Sequence, residues 1–251
     1  MVALTYRWSL DVLFALAVAV FVALFFLSAP YGRYARPGWG ITLPERWGWR
    51  LMEFPAVAVI FLVFLFGGRR DPLSIAFIVI WEFHYVYRTF VFTSLMREGR
   101  REFPVLISVF AIFFNLLNGY ANGCNLFLLG PTYPLAWLLD LRFVGGLALF
   151  AAGFLVHSSS DNILRSLRKP GETGYFIPQG GMFRYVSCPN YFGEIIEWVG
   201  WALLTWSVAG LAFAAFTFAN LFPRAIAHHR WYRSEFTDYP LERKAVIPFI
   251  V

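Results

Sequence analysis

Apolar residues run through seven stretches of the chain, and polar residues gather between them and toward the C-terminus. The stretches lie near 9–28, 51–67, 72–96, 103–122, 143–164, 190–207 and 208–224. Each approaches the roughly 20 residues a helix needs to cross about 30 Å of hydrocarbon. Seven transmembrane helices are therefore expected. The last division is the thinnest, because Trp198 to Phe222 is apolar almost throughout and only Ser207 and Gly210 mark a turn, so a six-span reading stays open. Ser28-Ala29 offers small residues suited to signal cleavage, but Pro30 follows directly and the first stretch is long enough to span. It is read as a retained helix.

Composition agrees: 59% of the 251 residues are hydrophobic, 20% aromatic and 14% charged, against about a quarter charged in soluble domains. Seven spans consume most of the length, so the expected fold is all-α, an integral membrane bundle forming one domain over residues 1–251. Alternate loops and the C-terminal tail carry sixteen of the 21 cationic residues. The other face holds only Arg7, Arg69, Arg70 and Arg142, with Arg88 inside the third span. The positive-inside rule then puts the N-terminus outside and the loops and tail in the cytoplasm. A net charge of +6 does not indicate nucleic acid, since the basic groups are scattered over short loops. An anionic small molecule or lipid headgroup fits better. Cys124 and Cys188 lie on opposite expected faces and indicate neither a disulfide nor a metal site.

Polar groups inside such a chain are costly and tend to face a cavity. The run from Ser160 to Glu172 ends a helix at Pro170-Gly171 and sets Arg165 and Arg168 on one face, able to grip a phosphate or simply to complement the helix dipole. The glycines Gly171, Gly174, Gly180 and Gly181 make no G-x-G-x-x-G fingerprint, and no strand precedes them, so a Rossmann domain is excluded. Asn190, Glu194 and Glu197 share one helical face, and Arg224, His228 and Tyr232 recur every four residues. The second stripe offers cation, imidazole and phenol to a phosphate-bearing cofactor. The adjacent histidines His228 and His229 point to different faces, so no metal is expected. Glu53 can cap the second helix or pair with Arg50, and Arg88 and Glu82 each call for a partner from another helix.

Four runs together resemble the steroid 5α-reductase family, in a bacterial member: Leu164-Arg165-Ser166-Leu167-Arg168-Lys169-Pro170-Gly171, Ile177-Pro178-Gln179-Gly180-Gly181, Asn190-Tyr191-Phe192-Gly193-Glu194-Ile195-Ile196-Glu197-Trp198, and the tail from His228 to Ile250. The similarity extends forward through Tyr31-Gly32-Arg33, Glu53-Phe54-Pro55 and His84 to Phe90. It implies a seven-helix bundle in the bacterial inner membrane, monomeric among its lipids. The front half would form a substrate cavity and residues 157–251 would mainly bind NADPH. It further implies that Glu53 and Tyr85 polarise the 3-keto oxygen of a steroid or similar hydrophobic enone. Arg100, Asp161, Arg168, Tyr175, Asn190, Glu194, Arg224, His228 and Tyr232 would contact the cofactor. The chain departs from the family pattern at Met52, at Arg97-Glu98-Gly99-Arg100, at Glu82 and at His157, where an asparagine is usual. An S-adenosylmethionine-dependent methyltransferase of the isoprenylcysteine type has a similar polar tail but no use for a ketone-polarising pair. A transporter or channel would show an internal repeat, and none is present.

Overall fold

The computed structural model describes residues 1–96, 102–168, 172 and 174–251. Its long helices are α1 (Val2–Phe26), α2 (Glu45–Phe66), α3 (Pro72–Leu95), α4 (Val105–Leu129), α5 (Leu141–Ser166), α6 (Pro189–Thr205) and α7 (Val208–Glu235). All but α6 are long and apolar enough to cross a membrane. One short antiparallel ribbon, β1 (Thr42–Pro44) on β2 (Glu102–Pro104), interrupts an otherwise helical chain. Helix α1 lies along α7, α2 along α4, and α6 between α5 and α7. Phe26, Phe66 and Leu155 are among many apolar side chains left exposed on the outside, as a lipid-facing surface requires.

Local chemistry accounts for the helix ends. Asp71 caps α3 by accepting from the Leu73 and Ser74 amides at 3.1 Å, with Pro72 in the first turn. Asp140 accepts from the Arg142 amide at 2.8 Å and pairs with its side chain, which holds the carboxyl down to about 2. Between α6 and α7 the chain turns at Trp206, in the left-handed region at φ 44°, and Ser207 Oγ then accepts from the Gly210 amide at 3.0 Å. The two turn signals are thus both used. Two helices outrun their expected ends. The tail beyond 224 continues α7 to Glu235, and α4 passes 122 to Leu129 through a π-helical segment. In the second case Arg69 supplies donors to the last carbonyls, reaching Leu126 O at 3.1 Å and Gly130 O at 2.7 Å.

The core is aromatic. Trp81, Trp198 and Trp201 are fully buried with Phe77 and Phe213, and the Trp198 and Phe213 ring centres are 4.1 Å apart. Buried indoles need acceptors; Trp81 Nε1 donates to Ala56 O at 3.0 Å and Trp201 Nε1 to Asn122 Oδ1 at 2.9 Å. The C-terminal tail folds back on the loop before α6. Ser187 N donates to Lys244 O at 2.8 Å, and its hydroxyl lies 2.6 Å from both His229 Nδ1 and Tyr239 OH. Arg243 reaches Pro178 O and Gln179 Oε1 at 3.0 and 2.9 Å. His229 and the Pro178-Gln179 segment thus anchor the tail.

Helices α5 and α6 meet backbone to backbone. A Cβ on Gly153 would stand 2.5 Å from both Glu197 N and Gly193 O, and one on Gly200 would stand 2.5 Å from Phe150 N. Small residues permit such approach where lipid gives helices no hydrophobic drive to associate. Gly145, by contrast, has only Leu203 Cδ2 at 4.0 Å. Gly153→Ala should lower the melting temperature in detergent, at an overpacking cost of about 1–3 kcal/mol. Gly145→Ala should leave it unchanged or raise it slightly. Equal melting temperatures for the two variants would contradict this packing.

Candidate functional site

The polar residues of the interior converge on one arginine. Arg88 stands on the π-helical segment Tyr87–Phe92 of α3 and is 9% exposed. Such a segment re-aims side chains relative to the regular helix. Arg88 Nη1 lies 3.3 Å from Asp161 Oδ2, Nε 3.7 Å from Glu53 Oε1, and Nη2 3.9 Å from Glu194 Oε2. Its guanidinium also lies over the rings of Trp49 and Phe92. Glu53 therefore sits within α2 facing Arg88 and neither caps that helix nor pairs with Arg50. Arg50 instead donates to Thr93 Oγ1 and Ser94 Oγ.

A second chain of charges joins the first. His84 Nδ1 is 2.6 Å from Glu197 Oε1, while His157 sets Nδ1 at 3.6 Å from Glu197 Oε2 and Nε2 at 3.3 Å from Asp161 Oδ2. Asn190 Nδ2 donates to Asp161 Oδ1 at 3.1 Å. The expected stripe Asn190, Glu194 and Glu197 thus faces inward over its whole length. Donor atoms of His84, His157 and Glu197 lie within 4.8 Å of one another. The direct 2.6 Å contact leaves no room for an ion between His84 Nδ1 and Glu197 Oε1, since each bond to zinc needs about 2 Å. Glu82 has a buried Oε1 with no hydrogen-bond partner among the described residues.

Toward the Tyr31–Tyr34 end, cations rest on aromatic faces. Arg33 lies 4.4 Å from the Trp231 ring centre, 4.5 Å from Tyr232 and 5.2 Å from Tyr175, and donates to Tyr232 OH at 3.1 Å. Arg224 lies over Tyr31 and Tyr191. His228 stacks on Tyr34 and sets Nε2 3.2 Å from Tyr191 OH. Arg168 lies over Tyr175 and donates to Gly174 O at 2.6 Å. No carboxylate comes within ion-pair distance of Arg33 or Arg224 among the described residues, and Arg33 Nη1 and His228 Nδ1 are buried without partners. Two guanidiniums held in place by rings, with donors to spare, are suited to an anion with several oxygens.

Of the expected cofactor contacts, Asp161, Asn190 and Glu194 join the Arg88 cluster, while Arg168, Tyr175, Arg224, His228 and Tyr232 form the aromatic cage. Arg100 lies outside the described residues. Arg165, three residues before Arg168, bonds to Asn162. Tyr85 is 3% exposed and packs among Trp81, Trp198 and Phe213. Sequence reasoning missed the placement of Tyr31, Arg33 and Tyr34 against α7, and the convergence of His84 and His157 on Glu197. Two buried asparagines facing these groups, Asn115 beside Glu53 and Asn118 beside Tyr85, were also missed. Their spacing of three inside an apolar run was the available signal.

Comparison with known proteins agrees along nearly the full length. The 3-oxo-5-alpha-steroid 4-dehydrogenase family profile matches residues 101–251. A steroid 5-alpha-reductase of Gossypium hirsutum is 43% identical over 250 residues, 98% of this chain and 97% of its own. The 3-oxo-5-alpha-steroid 4-dehydrogenase 1 of Bos taurus is 44% identical over 94% of this chain and 93% of its own, and that of Homo sapiens 41% identical over 94% and 92%.

Arg88→Met leaves up to three carboxyls without their countercharge and should destabilise the protein by about 3–5 kcal/mol. Arg88→Lys should lose less; equal melting temperatures for both variants and the parent would refute the hub. Burial pushes the Cys188 thiol up to about 12, with Arg33 and Arg224 pulling the other way. The thiol stays protonated at neutral and mildly alkaline pH and should resist iodoacetamide until the protein unfolds. Rapid alkylation of the folded protein at pH 7 is the contrary result.

Proposed function

The chain belongs to the 3-oxo-5-alpha-steroid 4-dehydrogenase family, and on that premise we propose that it uses NADPH to reduce the 4,5 double bond of a 3-keto-4-ene steroid or a similar hydrophobic enone. The observation that carries this reading is the pairing of two environments on the same helices. The guanidiniums of Arg33 and Arg224, which face no carboxylate within ion-pair distance among the described residues, and the imidazole of His228 fit the phosphates of a dinucleotide. Tyr31, Tyr34, Tyr175 and Trp231 supply faces for its rings. Asp161, Asn190 and Glu194 continue from the cage toward the interior and would hold the amide end of the cofactor. Glu53, on α2, lies beside the arginine hub, and Tyr85, on α3, lies against Trp198 and against His84, which pairs with Glu197.

When bound, NADPH supplies the hydride that adds to the β-carbon of the enone. The protein's own part is to draw electron density toward the ketone oxygen as the enolate develops. A neutral Tyr85 phenol donates a hydrogen bond to that oxygen, and Glu53 does so while it carries a proton. Four carboxyls, Glu53, Asp161, Glu194 and Glu197, face each other across the cluster, and the Arg88 guanidinium balances one of them. The saturated α-carbon also needs a proton, and His84, His157 and these carboxyls are the titratable groups at hand around the Glu53 and Tyr85 pair.

On this reading residues 157–251 supply most of the cofactor cage, and Tyr31, Arg33 and Tyr34 join them from the front half. In the topology we favour, α6 counts as the seventh span, the N-terminus is outside, and the cage faces the cytoplasm of a bacterial inner membrane. A monomer suffices, since both environments are built from one chain.

Detergent-purified protein given progesterone or testosterone should consume NADPH and yield a product heavier by two hydrogens. Tyr85→Phe should lower kcat by about 10²–10³-fold while NADPH affinity stays near the parent value. An equal loss in both would remove Tyr85 from the chemistry. NADPH binding without reduction of any steroid would leave the cofactor reading standing and defeat the substrate assignment.

A further inference from the structure

Helix α4 carries Asn118 and Asn122 on one face, and both are 0% exposed. Amides buried at this depth are costly unless every hydrogen-bonding group is used. Their orientation is fixed from one end. An indole N–H can only donate, so the Trp201 Nε1 contact at 2.9 Å requires Asn122 Oδ1 to accept. Asn122 Nδ2 is then the group facing back along the helix, and it donates to Asn118 Oδ1 at 3.0 Å and to Asn118 O at 3.1 Å. With its oxygen engaged, Asn118 has only Nδ2 to offer onward. That atom is buried without a hydrogen-bond partner among the described residues, and it belongs to the amide on the Tyr85 side of the pair.

We propose that Trp201, Asn122 and Asn118 form a one-way hydrogen-bond chain that strengthens and aims the Tyr85 hydroxyl. The inference rests on the role proposed for Tyr85 as donor to the substrate ketone. Each group in the order Trp201, Asn122, Asn118, Tyr85 donates to the next. The Tyr85 oxygen accepts from Asn118, so its hydrogen is left for the ketone oxygen. Hydrogen bonds aligned head to tail polarise one another, by about 10–30% per bond. The gain is largest when the terminal acceptor acquires charge, as an enolate oxygen does. Asn118, Asn122 and Trp201 touch no substrate and act through Tyr85, as positioning residues.

The test compares full-length parent, Asn118→Leu, Trp201→Phe, Tyr85→Phe and the two double variants with Tyr85→Phe, each assayed with progesterone and NADPH beside a melting curve. Asn118→Leu should lower kcat by roughly tenfold, the equivalent of one net hydrogen bond, with the KM for NADPH within about twofold. Trp201→Phe keeps an aromatic ring, removes the N–H and should lower kcat by roughly twofold to fourfold. In the Tyr85→Phe background neither change should slow the enzyme further, which loosened packing alone would not achieve. Unchanged kcat in Asn118→Leu and Trp201→Phe, or losses that simply add to that of Tyr85→Phe, would overturn the chain while leaving Tyr85 in place. Full activity in Tyr85→Phe itself would overturn both readings. If Asn118→Leu does not accumulate as folded protein, Trp201→Phe alone and in the double variant decides the matter.

Discussion

A permanent positive charge at the depth of the hydrocarbon is the constraint on which the rest of the structure depends. Arg88 cannot shed its proton, and an unpaired guanidinium in such a place is expensive. The bundle answers with acids from three other helices, Glu53 on α2, Asp161 on α5 and Glu194 on α6, each within 3.9 Å of a different nitrogen. Trp49 and Phe92 shield its face. One ion thereby sets the relative register of four helices. The acids have been taken out of water as well, so the arrangement is better understood as specifying geometry than as adding stability.

Carboxyl groups on short side chains can share one arginine only if their helices come unusually close. Gly146 and Gly153 on α5 lie against Gly200 and Gly193 on α6, where a Cβ would stand within 2.8 Å of the partner's backbone. Ordinary helix pairs stand 8–10 Å apart. The shared spacing of seven keeps both contacts on one face as the antiparallel helices cross. Gly193 stands one turn after Asn190 and one turn before Glu197, so the contact that brings the backbones together also seats Asn190 on Asp161 at 3.1 Å and sets His157 beside Glu197. A packing motif made only of glycine thus decides where the charges go.

The sequence was informative wherever a signal was local. Apolar runs located the helices, Ser207 and Gly210 marked the break before α7, and spacings of three and four put Asn190 with Glu194 and Arg224 with His228 and Tyr232. What escaped it depended on distance along the chain. Glu53 and Arg88 are 35 positions apart in the sequence, and Arg33 meets Tyr232 across 199. Nothing near either residue records the other, so Arg50 looked the nearer partner for Glu53 while its donors go to Thr93 and Ser94. The extension of α4 to Leu129 was hidden for the same reason: the arginine that satisfies its final carbonyls comes from the α2–α3 connection. Asn118 and Asn122 drew no reading inside their apolar run because their use becomes visible only beside Trp201 and Tyr85.

Helix α6 shows how the two environments are joined. Its inward face begins with Asn190 and Tyr191, which touch Asp161 and His228, passes Glu194 and Glu197 among the buried charges, and ends with Trp198 and Trp201 in the aromatic core. Over about three turns one element passes from a region of cations to one of paired charges and then to one with almost no polar atoms. The reduction proposed here needs that order, since an anionic cofactor and a hydrophobic enone must meet at one reacting bond while sharing no solvent. Each turn of α6 contributes the type of side chain its depth requires. Trp201, at the apolar end, still supplies one oriented N–H, so a directional hydrogen bond reaches back toward Tyr85 without a further charge having to be buried.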